Sequence, residues 1–313
     1  MPSATPVIEA TGPYVSPARA RSARRVPIRI GAVQERWHPD PDEHLEALAA
    51  GVRLAAERGA QLVCLQELTL SRYFATDPRG PIAAGAEPEA LPGGPTYEFA
   101  ARMAAETGAH IHASLYERAD ADDGLGFNTA IVVAPDGALL ARTRKLHIPL
   151  TAGYHEDRYF RAGPGEGCDP YPVITLAGAR FGLPTCWDQW FGEVARAYSL
   201  EGADVLVYPT AIGSEPDHPA FDTQPLWEQV IRGNAIANGI FMVAVNRIGE
   251  ESPLRFYGSS FICDPYGRML VQAPRDQAAV LVAELDLDQR EDWLELFPFL
   301  QTRRPDVYGR LTE

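Results

Sequence analysis

Apolar and polar positions follow two alternating patterns from residue 27 onward. Short, continuous apolar runs are typical of buried strands, whereas apolar residues at every third or fourth position are typical of helices. The apolar runs predict strands at residues 28–33, 62–65, 110–116, 205–208 and 241–245. The helical spacing predicts helices at residues 41–58, 96–107, 191–201 and 226–238. Gly59, Gly202 and Gly239 follow three of these helices, as expected for helix ends.

Two hairpins complete the pattern. Residues 127–133 and 138–144 flank a Pro-Asp-Gly turn, and residues 257–263 and 268–272 flank a similar turn. Each half of the chain therefore carries β-α-β units followed by a hairpin. This order favours a four-layer α-β-β-α sandwich over a barrel.

The two ends of the chain differ from the part between them. Residues 1–26 mix Pro, Ser and Ala with four arginines, and we expect a flexible N-terminal extension rather than a signal peptide. No linker divides the part that follows, so residues 27–313 are expected to form a single domain. Its tail, from residue 286, predicts a short helix and then an arm, RRPDVYGRL, that packs on a neighbouring segment or a partner subunit.

Composition and charge narrow the class of protein. A hydrophobic fraction of 46% and a charged fraction of 22% are typical of a globular protein, and no apolar run is long enough for a membrane span. The net charge of −14 disfavours nucleic acid and anionic membranes as partners. Widely spaced cysteines without a CxxC pair predict free thiols in the reducing cytoplasm. These cysteines are Cys64, Cys168, Cys186 and Cys263.

Cys186 is the strongest candidate for chemistry. It lies in GLPTCWDQWFGEVARAYSL, between the end of an apolar strand and the start of a helix. Unpaired backbone N–H groups at such a corner favour a thiolate over a thiol. The alternative is a small buried hydrophobic side chain, which is the commoner role of a free cysteine.

A nucleophilic thiol needs a base and a group that stabilises an oxyanion. No histidine lies in a convincing context for the base, and no Cys/His spacing indicates a metal site. Glu67, Lys145 and Glu156 instead follow predicted strands or lie in the next loop. Each of these residues, taken alone, is typical of a solvent-exposed charge at the end of a strand. Together they indicate a site, because α/β proteins build sites where adjacent strands end.

The order of four motifs resembles the nitrilase superfamily of carbon–nitrogen hydrolases. The motifs are QEL with Glu67, RKLHIP with Lys145, GYHEDRYF with Glu156 and TCWDQWF with Cys186. Within the superfamily, VYPTAIGSEP, RGNAIANGIFMVAVNRIG and FYGSSF are most similar to N-carbamoylputrescine amidases. The resemblance covers residues 27–310.

This resemblance implies a catalytic triad of Glu67, Lys145 and Cys186, with Glu156 positioning the lysine and the substrate. Glu67 is the expected base, and Lys145 with the backbone N–H of Trp187 is expected to hold the oxyanion. The implied fold is the sandwich described above. The implied enzyme needs no metal or organic cofactor, acts on a small carbamoyl or amide compound and forms a homo-oligomer.

Asp188 and Gln189 follow Trp187, where relatives that cleave N-carbamoyl amino acids carry basic residues. An acidic Asp188 therefore predicts contact with a cationic N-carbamoyl amine such as N-carbamoylputrescine. The alternative is that Asp188 caps the helix that begins here. The aromatic candidates for pocket walls are Tyr73, Tyr159 and Trp190.

Several departures from the amidase pattern leave the substrate open. They are the loop after Glu67, Asn234 in place of a histidine, and a short segment at residues 250–255. An aliphatic amidase, a nitrilase or an N-carbamoyl amino acid hydrolase of the same superfamily remains an alternative. A papain-like protease is disfavoured because the CGSC lead-in is missing. A non-catalytic scaffold would have lost at least one triad residue, whereas all three are present.

Overall fold

The computed structural model describes residues 5–10, 14–121, 123–151 and 153–312. Strands and helices alternate along them, as the apolar patterns predict. The strands are β1 (Val7–Glu9), β2 (Ile28–Gln34), β3 (Leu62–Cys64), β4 (His110–Glu117), β5 (Phe127–Val133), β6 (Leu139–Arg144), β7 (Val173–Leu176), β8 (Ala179–Gly182), β9 (Val205–Pro209), β10 (Phe241–Val245), β11 (Ile248–Glu251), β12 (Leu254–Tyr257), β13 (Phe261–Cys263), β14 (Met269–Gln272) and β15 (Ala279–Leu285). The α-helices are α1 (Pro41–Glu57), α2 (Pro81–Ala84), α3 (Pro95–Thr107), α4 (Gly192–Leu200), α5 (Gln224–Asn238) and α6 (Asp288–Leu296).

Most strands belong to two sheets. The first has the order β1-β15-β2-β3-β4-β5-β6, and the second has the order β14-β13-β10-β9-β8-β7. The central pairs β2-β3-β4 and β8-β9-β10 are parallel, and the hairpin β5-β6 is antiparallel. Because parallel strands present their carboxyl ends at one edge, each sheet has an edge on which polar side chains can gather.

The sheets and helices form four layers. One apolar cluster joins the facing sides of the two sheets and includes Ile30, Ala32, Phe181, Val207 and Val243. A second cluster packs α1 and α3 on the outer face of the first sheet. A third packs α4 and α5 on the outer face of the second sheet. The predicted four-layer α-β-β-α sandwich is therefore confirmed.

Local signals explain several element boundaries. Asp40 accepts hydrogen bonds from the N–H groups of Asp42 and Glu43, which fixes the start of α1. The first predicted hairpin is β5-β6. The second prediction was wrong in its first strand, because Gly258 and Ser259 have positive φ angles of 53° and 58° and interrupt residues 257–263. Tyr257 consequently ends β12, and only residues 261–263 pair with β14.

The described part of residues 1–26 is docked on the domain. β1 pairs in parallel with β15, with Val7 opposite Val280. Arg19 bonds Asp286 at 2.7 Å and Asp292 at 2.9 Å, which ties the extension to the segment around α6. Residues 1–4 and 11–13 lie outside the described residues.

The tail contains α6 and then two 3₁₀ turns, Pro305–Val307 and Gly309–Thr312. It exposes Leu296, Phe297, Val307 and Leu311. Within the described ranges, no helix combines the length and apolar character that a membrane crossing requires.

Candidate active site

The four motif residues lie in loops that follow strands of the two sheets. Glu67 follows β3, and Lys145 follows β6, both in the first sheet. Glu156 begins a 3₁₀ turn at Glu156–Arg158. Cys186 lies beyond β8 of the second sheet. The candidate site is thus assembled from both sheets.

Lys145 lies between the two glutamates. Its ammonium nitrogen Nζ is 3.0 Å from Oε1 of Glu67 and 2.7 Å from Oε2 of Glu156, and all three side chains are buried. Burial acts to lower the pKa of Lys145, but the charges of Glu156 and Glu67 outweigh burial and raise this pKa above its ordinary value. The lysine is therefore a cation at neutral pH. Burial raises the pKa of Glu156, although the charge of Lys145 acts against that rise.

Glu67 has one occupied and one open oxygen. Its Oε1 accepts hydrogen bonds from Lys145 Nζ at 3.0 Å and from Asn128 Nδ2 at 2.7 Å. Its Oε2 is buried and accepts no hydrogen bond from the described residues. Two donors thus orient the carboxylate and leave the second oxygen able to accept a proton.

Cys186 occupies a strained corner. Its φ angle is +38°, in the left-handed region that a side chain with a Cβ rarely adopts, and only 6% of the residue is exposed. It begins the 3₁₀ helix Cys186–Trp190, and the N–H of Ala211 donates a hydrogen bond to its thiol.

The surroundings of Cys186 oppose the effect of the helix start on its thiol. Burial and the charge of Glu67 raise the pKa of the Cys186 thiol well above its ordinary value, although the charge of Lys145 and the bond from Ala211 act in the opposite direction. A thiolate would be a further negative charge in a buried cluster that already holds two carboxylates and one ammonium. The raised pKa favours the protonated thiol, which agrees with the expected role of Glu67 as its base.

Asp188 caps the corner and does not line the cavity beside Cys186. Its carboxylate accepts hydrogen bonds from the N–H of Thr185 at 3.1 Å, from the N–H of His147 at 3.0 Å and from that histidine's Nδ1 at 2.8 Å. The side chain is 1% exposed. The expectation that Asp188 contacts the substrate was wrong, and the helix-capping alternative is the one observed.

A cavity of about 260 Å³ opens beside Cys186. Tyr73, Trp187 and Trp190 line it, as does Glu156. The Tyr73 hydroxyl donates to Glu156 Oε1 at 2.7 Å, so this residue both forms a wall and orients the glutamate. Tyr159 packs instead against Phe74, and its hydroxyl donates to the carbonyl of Asp77, so its expected place in the wall was wrong.

Sequence reasoning missed three residues of the site. Asn128 holds Glu67 from β5 of the first sheet. Tyr154 and Glu215 line the cavity, and both come from loops without apolar periodicity. Asn128 and Thr129 are the polar residues of the buried strand β5, and a buried amide needs hydrogen-bond partners, so this position could have signalled a role.

Across the described ranges, no group of three or more His, Cys, Asp or Glu side chains is placed to hold a metal ion. The four cysteines are free thiols, and Cys168 is exposed.

Comparisons with known proteins agree with this geometry. The carbon-nitrogen hydrolase family model matches residues 29–295. The chain is 37% identical over 289 residues to an N-carbamoylputrescine amidase of Solanum lycopersicum, covering 90% of this chain and 93% of the relative. It is 31% identical over 288 residues to a citrullinase of Francisella tularensis, covering 91% and 98%.

A solved carbon-nitrogen hydrolase from Helicobacter pylori superposes with a TM-score of 0.79 at 32% identity, covering 92% of this chain and 99% of that one. The family model and the relatives thus span both sheets and all four motif residues. The chain therefore belongs to the carbon–nitrogen hydrolase family, and it is a hydrolase of non-peptide carbon–nitrogen bonds.

Proposed function

We propose that this enzyme hydrolyses N-carbamoyl amines whose far end is cationic, with N-carbamoylputrescine as the first candidate. The observation that carries the proposal is Glu215, a carboxylate on the wall of the cavity that contains Cys186. The relatives named as N-carbamoylputrescine amidases support the same class of substrate.

The first half of the reaction forms a thiocarbamoyl enzyme. Glu67 takes the proton of the Cys186 thiol, and the sulfur attacks the carbamoyl carbon. The carbonyl oxygen becomes an oxyanion that the ammonium of Lys145 and the N–H of Trp187 stabilise. The protonated Glu67 then donates its proton to the departing NH₂ group, which leaves as ammonia.

The second half releases the amine. Glu67 removes a proton from water, and the resulting hydroxide attacks the thiocarbamoyl carbon. The carbon–sulfur bond breaks, and the proton on Glu67 returns to the sulfur of Cys186. The product carbamate decomposes to carbon dioxide and the amine. Each turnover thus consumes one water and regenerates the resting thiol.

Glu215 supplies the selectivity for a cation. It is half-buried, and its one side-chain partner among the described residues is the Thr223 hydroxyl at 3.5 Å. The other carboxylate of the wall, Glu156, is already paired with Lys145. A substrate ammonium group is therefore best placed at Glu215, where the pair would lie in a partly desolvated cavity.

The charge of the wall disfavours anionic substrates. No Lys or Arg is found among the described residues that line the cavity. Citrulline is a carbamoyl amine that carries both an ammonium and a carboxylate, so it is expected to bind less well than N-carbamoylputrescine. N-carbamoyl-β-alanine is purely anionic and is expected to be the poorest of the three.

The first test measures ammonia release from N-carbamoylputrescine, citrulline, N-carbamoyl-β-alanine and butyramide. The expected order follows the charge rule, with N-carbamoylputrescine first, and Cys186→Ala should abolish release from every compound. Release that persists in Cys186→Ala would overturn the chemistry. Release only from butyramide or N-carbamoyl-β-alanine would keep the chemistry and overturn the substrate class.

The second test removes the charge of Glu215 without changing its shape. We expect Glu215→Gln to lower kcat/KM for N-carbamoylputrescine by about 10–100-fold, the value of a charge-assisted hydrogen bond. N-butylurea, a neutral compound of similar length, should lose less than about threefold by the same argument. Glu250→Gln, at a carboxylate that is 77% exposed on the surface, is the control.

The pH dependence gives a second readout of Glu215. Burial raises the pKa of this carboxyl, so its negative charge is lost as pH falls through that raised value. kcat/KM for N-carbamoylputrescine should fall along this limb, and the limb should be missing for N-butylurea and in Glu215→Gln. Equal losses for the charged and neutral compounds would contradict the role of Glu215.

We also retain the predictions of a homo-oligomer and a cytoplasmic location. The apolar side chains exposed on the tail support a subunit contact, since their burial against a second copy would favour association. The exposed free thiol of Cys168 supports a reducing compartment.

A further inference from the structure

A buried arginine lies beyond the end of β10, in the second sheet. The side chain of Arg247 has no exposed surface. Its guanidinium lies 5.4 Å from the ring centre of Phe256. A fully buried cation requires acceptors for its N–H groups, and the partners of Arg247 are found on the other side of the site.

The guanidinium binds the loop that carries Glu67. Nη2 donates to the carbonyl of Glu67 at 2.6 Å and to the carbonyl of Leu68 at 3.2 Å. Nη1 donates to the carbonyl of Ser71 at 3.2 Å. Leu68 has a φ angle of +48°, so the chain makes a strained turn directly after Glu67. A planar, forked group can hold these carbonyls together, whereas a single ammonium cannot reach all of them.

Glu251 extends the same arrangement to Tyr73. Its Oε1 accepts a hydrogen bond from Nη1 of Arg247 at 2.8 Å, and its Oε2 accepts one from the N–H of Tyr73 at 2.5 Å. Tyr73 in turn bonds Glu156. The Arg247–Glu251 pair thus fixes both ends of the loop between Glu67 and Tyr73.

The neighbouring Asn246 fixes the side of the site that carries Cys186. Its side chain accepts from the N–H of Ile212 at 3.0 Å and donates to the Ile212 carbonyl at 2.9 Å. The adjacent Ala211 donates its N–H to the Cys186 thiol. Two consecutive residues of one loop therefore hold the surroundings of Glu67 and of Cys186 in a fixed relation.

We propose that Arg247 is a positioning residue that sets the place of Glu67 relative to Cys186. It acts through the backbone of residues 67–71 and through Glu251, without touching the reacting atoms. The first sheet also holds this loop, through the hydrogen bond from the N–H of Thr69 to the carbonyl of Ser114. Arg247 supplies the link to the second sheet. The inference rests on the role proposed for Glu67 and is independent of the identity of the substrate.

The test compares Arg247→Lys and Glu251→Gln with the parent enzyme, using whichever compound of the panel the parent hydrolyses fastest. We expect Arg247→Lys to lower kcat by about 10²-fold with KM changed by less than about threefold, because misplacing a base by about 1 Å has an effect of that size. Glu251→Gln should lower kcat in the same way by about tenfold. Arg275→Lys, at an exposed arginine paired with Asp222, is the matched control.

Two further readouts separate positioning from loss of fold. In Arg247→Ala, added guanidinium should restore at least about tenfold in kcat, while ammonium at equal concentration should not. Alkylation of Cys186 by iodoacetamide in Arg247→Lys should shift to lower pH, because a displaced Glu67 no longer raises the pKa of the thiol.

Three results would overturn the proposal: unchanged kcat in folded Arg247→Lys, a loss confined to KM, or equal rescue by ammonium. If Arg247→Lys does not fold, unchanged kcat in Glu251→Gln would overturn it equally. The Glu67→Gln variant distinguishes failure of the base role of Glu67 from failure of the positioning role of Arg247. Turnover retained in Glu67→Gln would refute the role of the base. Inactive Glu67→Gln beside fully active Arg247 and Glu251 variants would refute the positioning role alone.

Discussion

The raised pKa of the Cys186 thiol means that a neighbouring group must remove its proton before the sulfur can attack. A helix start favours a thiolate, and that effect is worth up to about 1 kcal/mol in an exposed setting. Burial together with the charge of Glu67 wins here and raises the pKa of the thiol. A buried thiol cannot attack unless a group within reach removes its proton. We expect Glu67, whose Oε2 accepts no hydrogen bond from the described residues, to be that group.

Glu67→Gln should therefore abolish turnover while the fold is retained. The amide oxygen can still accept from Asn128 and Lys145, so the structural hydrogen bonds of Glu67 Oε1 survive. It cannot accept a proton, and we expect kcat to fall by about 10³-fold, within the usual range for general bases. Ammonia release measures this loss, and circular dichroism and Tm check the fold.

The same variant predicts a change at Cys186. Since the negative charge of Glu67 raises the pKa of the thiol, its removal should lower that pKa and shift alkylation by iodoacetamide to lower pH. Near-normal turnover in a folded variant, or alkylation with an unchanged pH profile, would contradict proton transfer between Glu67 and Cys186.

For single residues, the sequence identified the motif residues of the site, but it did not identify the residues that act through contacts with distant loops. Glu67 and Lys145 could be found because each lies shortly after the end of a predicted strand, in a motif that resembles a known family. Glu215 and Arg247 could not. Their roles depend on which distant loop lies opposite them, and no local pattern encodes that contact.

Among the elements, the 3₁₀ helix Cys186–Trp190 contains an acidic residue, Asp188, that could serve as a substrate contact or as a helix cap. An acidic residue two positions after the nucleophile is compatible with a substrate contact and with a helix cap. The hydrogen bonds that Asp188 accepts from the N–H groups of Thr185 and His147 decide for the cap, because a carboxylate with backbone donors at its oxygens needs no substrate cation. Asp188 thereby holds the turn on which Cys186 is presented.

Strands were predicted well where a continuous apolar run or a hairpin turn marks them, and poorly where neither signal is present. The buried strands β3, β9 and β10 are continuous apolar runs, and their boundaries agree with the sequence to within a residue. β1 and β7 have mixed burial, and β13 begins two residues after a pair with positive φ. Strand formation at such positions depends on side-chain packing against neighbouring strands, so the local sequence carries less of the signal.

For the whole molecule, the N-terminal extension is the main difference between expectation and structure. Residues 14–26 have no apolar periodicity, which is why they resemble a disordered segment. Their arginines are nevertheless matched to carboxylates around α6 and before β9, far away along the chain. Such matching between distant residues cannot be read from local composition.

This reasoning gives a prediction for Arg25, which joins the extension to the second sheet. Its guanidinium bonds both oxygens of Asp204, at 2.7 and 2.6 Å, and the carbonyl of Gly178 at 2.8 Å. The Asp204 side chain is only 4% exposed, so Arg25→Gln leaves a buried carboxylate with one fewer cation. We expect the free energy of unfolding to fall by about 2 kcal/mol, between the values for exposed and buried ion pairs.

Arg21→Gln is the matched control, because Arg21 and its partner Glu295 are 67% and 57% exposed and lie 3.5 Å apart. That pair should contribute less than about 0.5 kcal/mol. Urea unfolding of the two variants beside the parent measures the difference, and kcat should be unchanged in both because neither arginine approaches Cys186. If Arg25→Gln unfolds at the same urea concentration as Arg21→Gln, the extension rests on the surface without holding the sheets. A selective loss in Arg25→Gln would make residues 14–26 an integral part of the domain, since a single guanidinium would then connect the chain before β2 to the turn before β8 and to the start of β9.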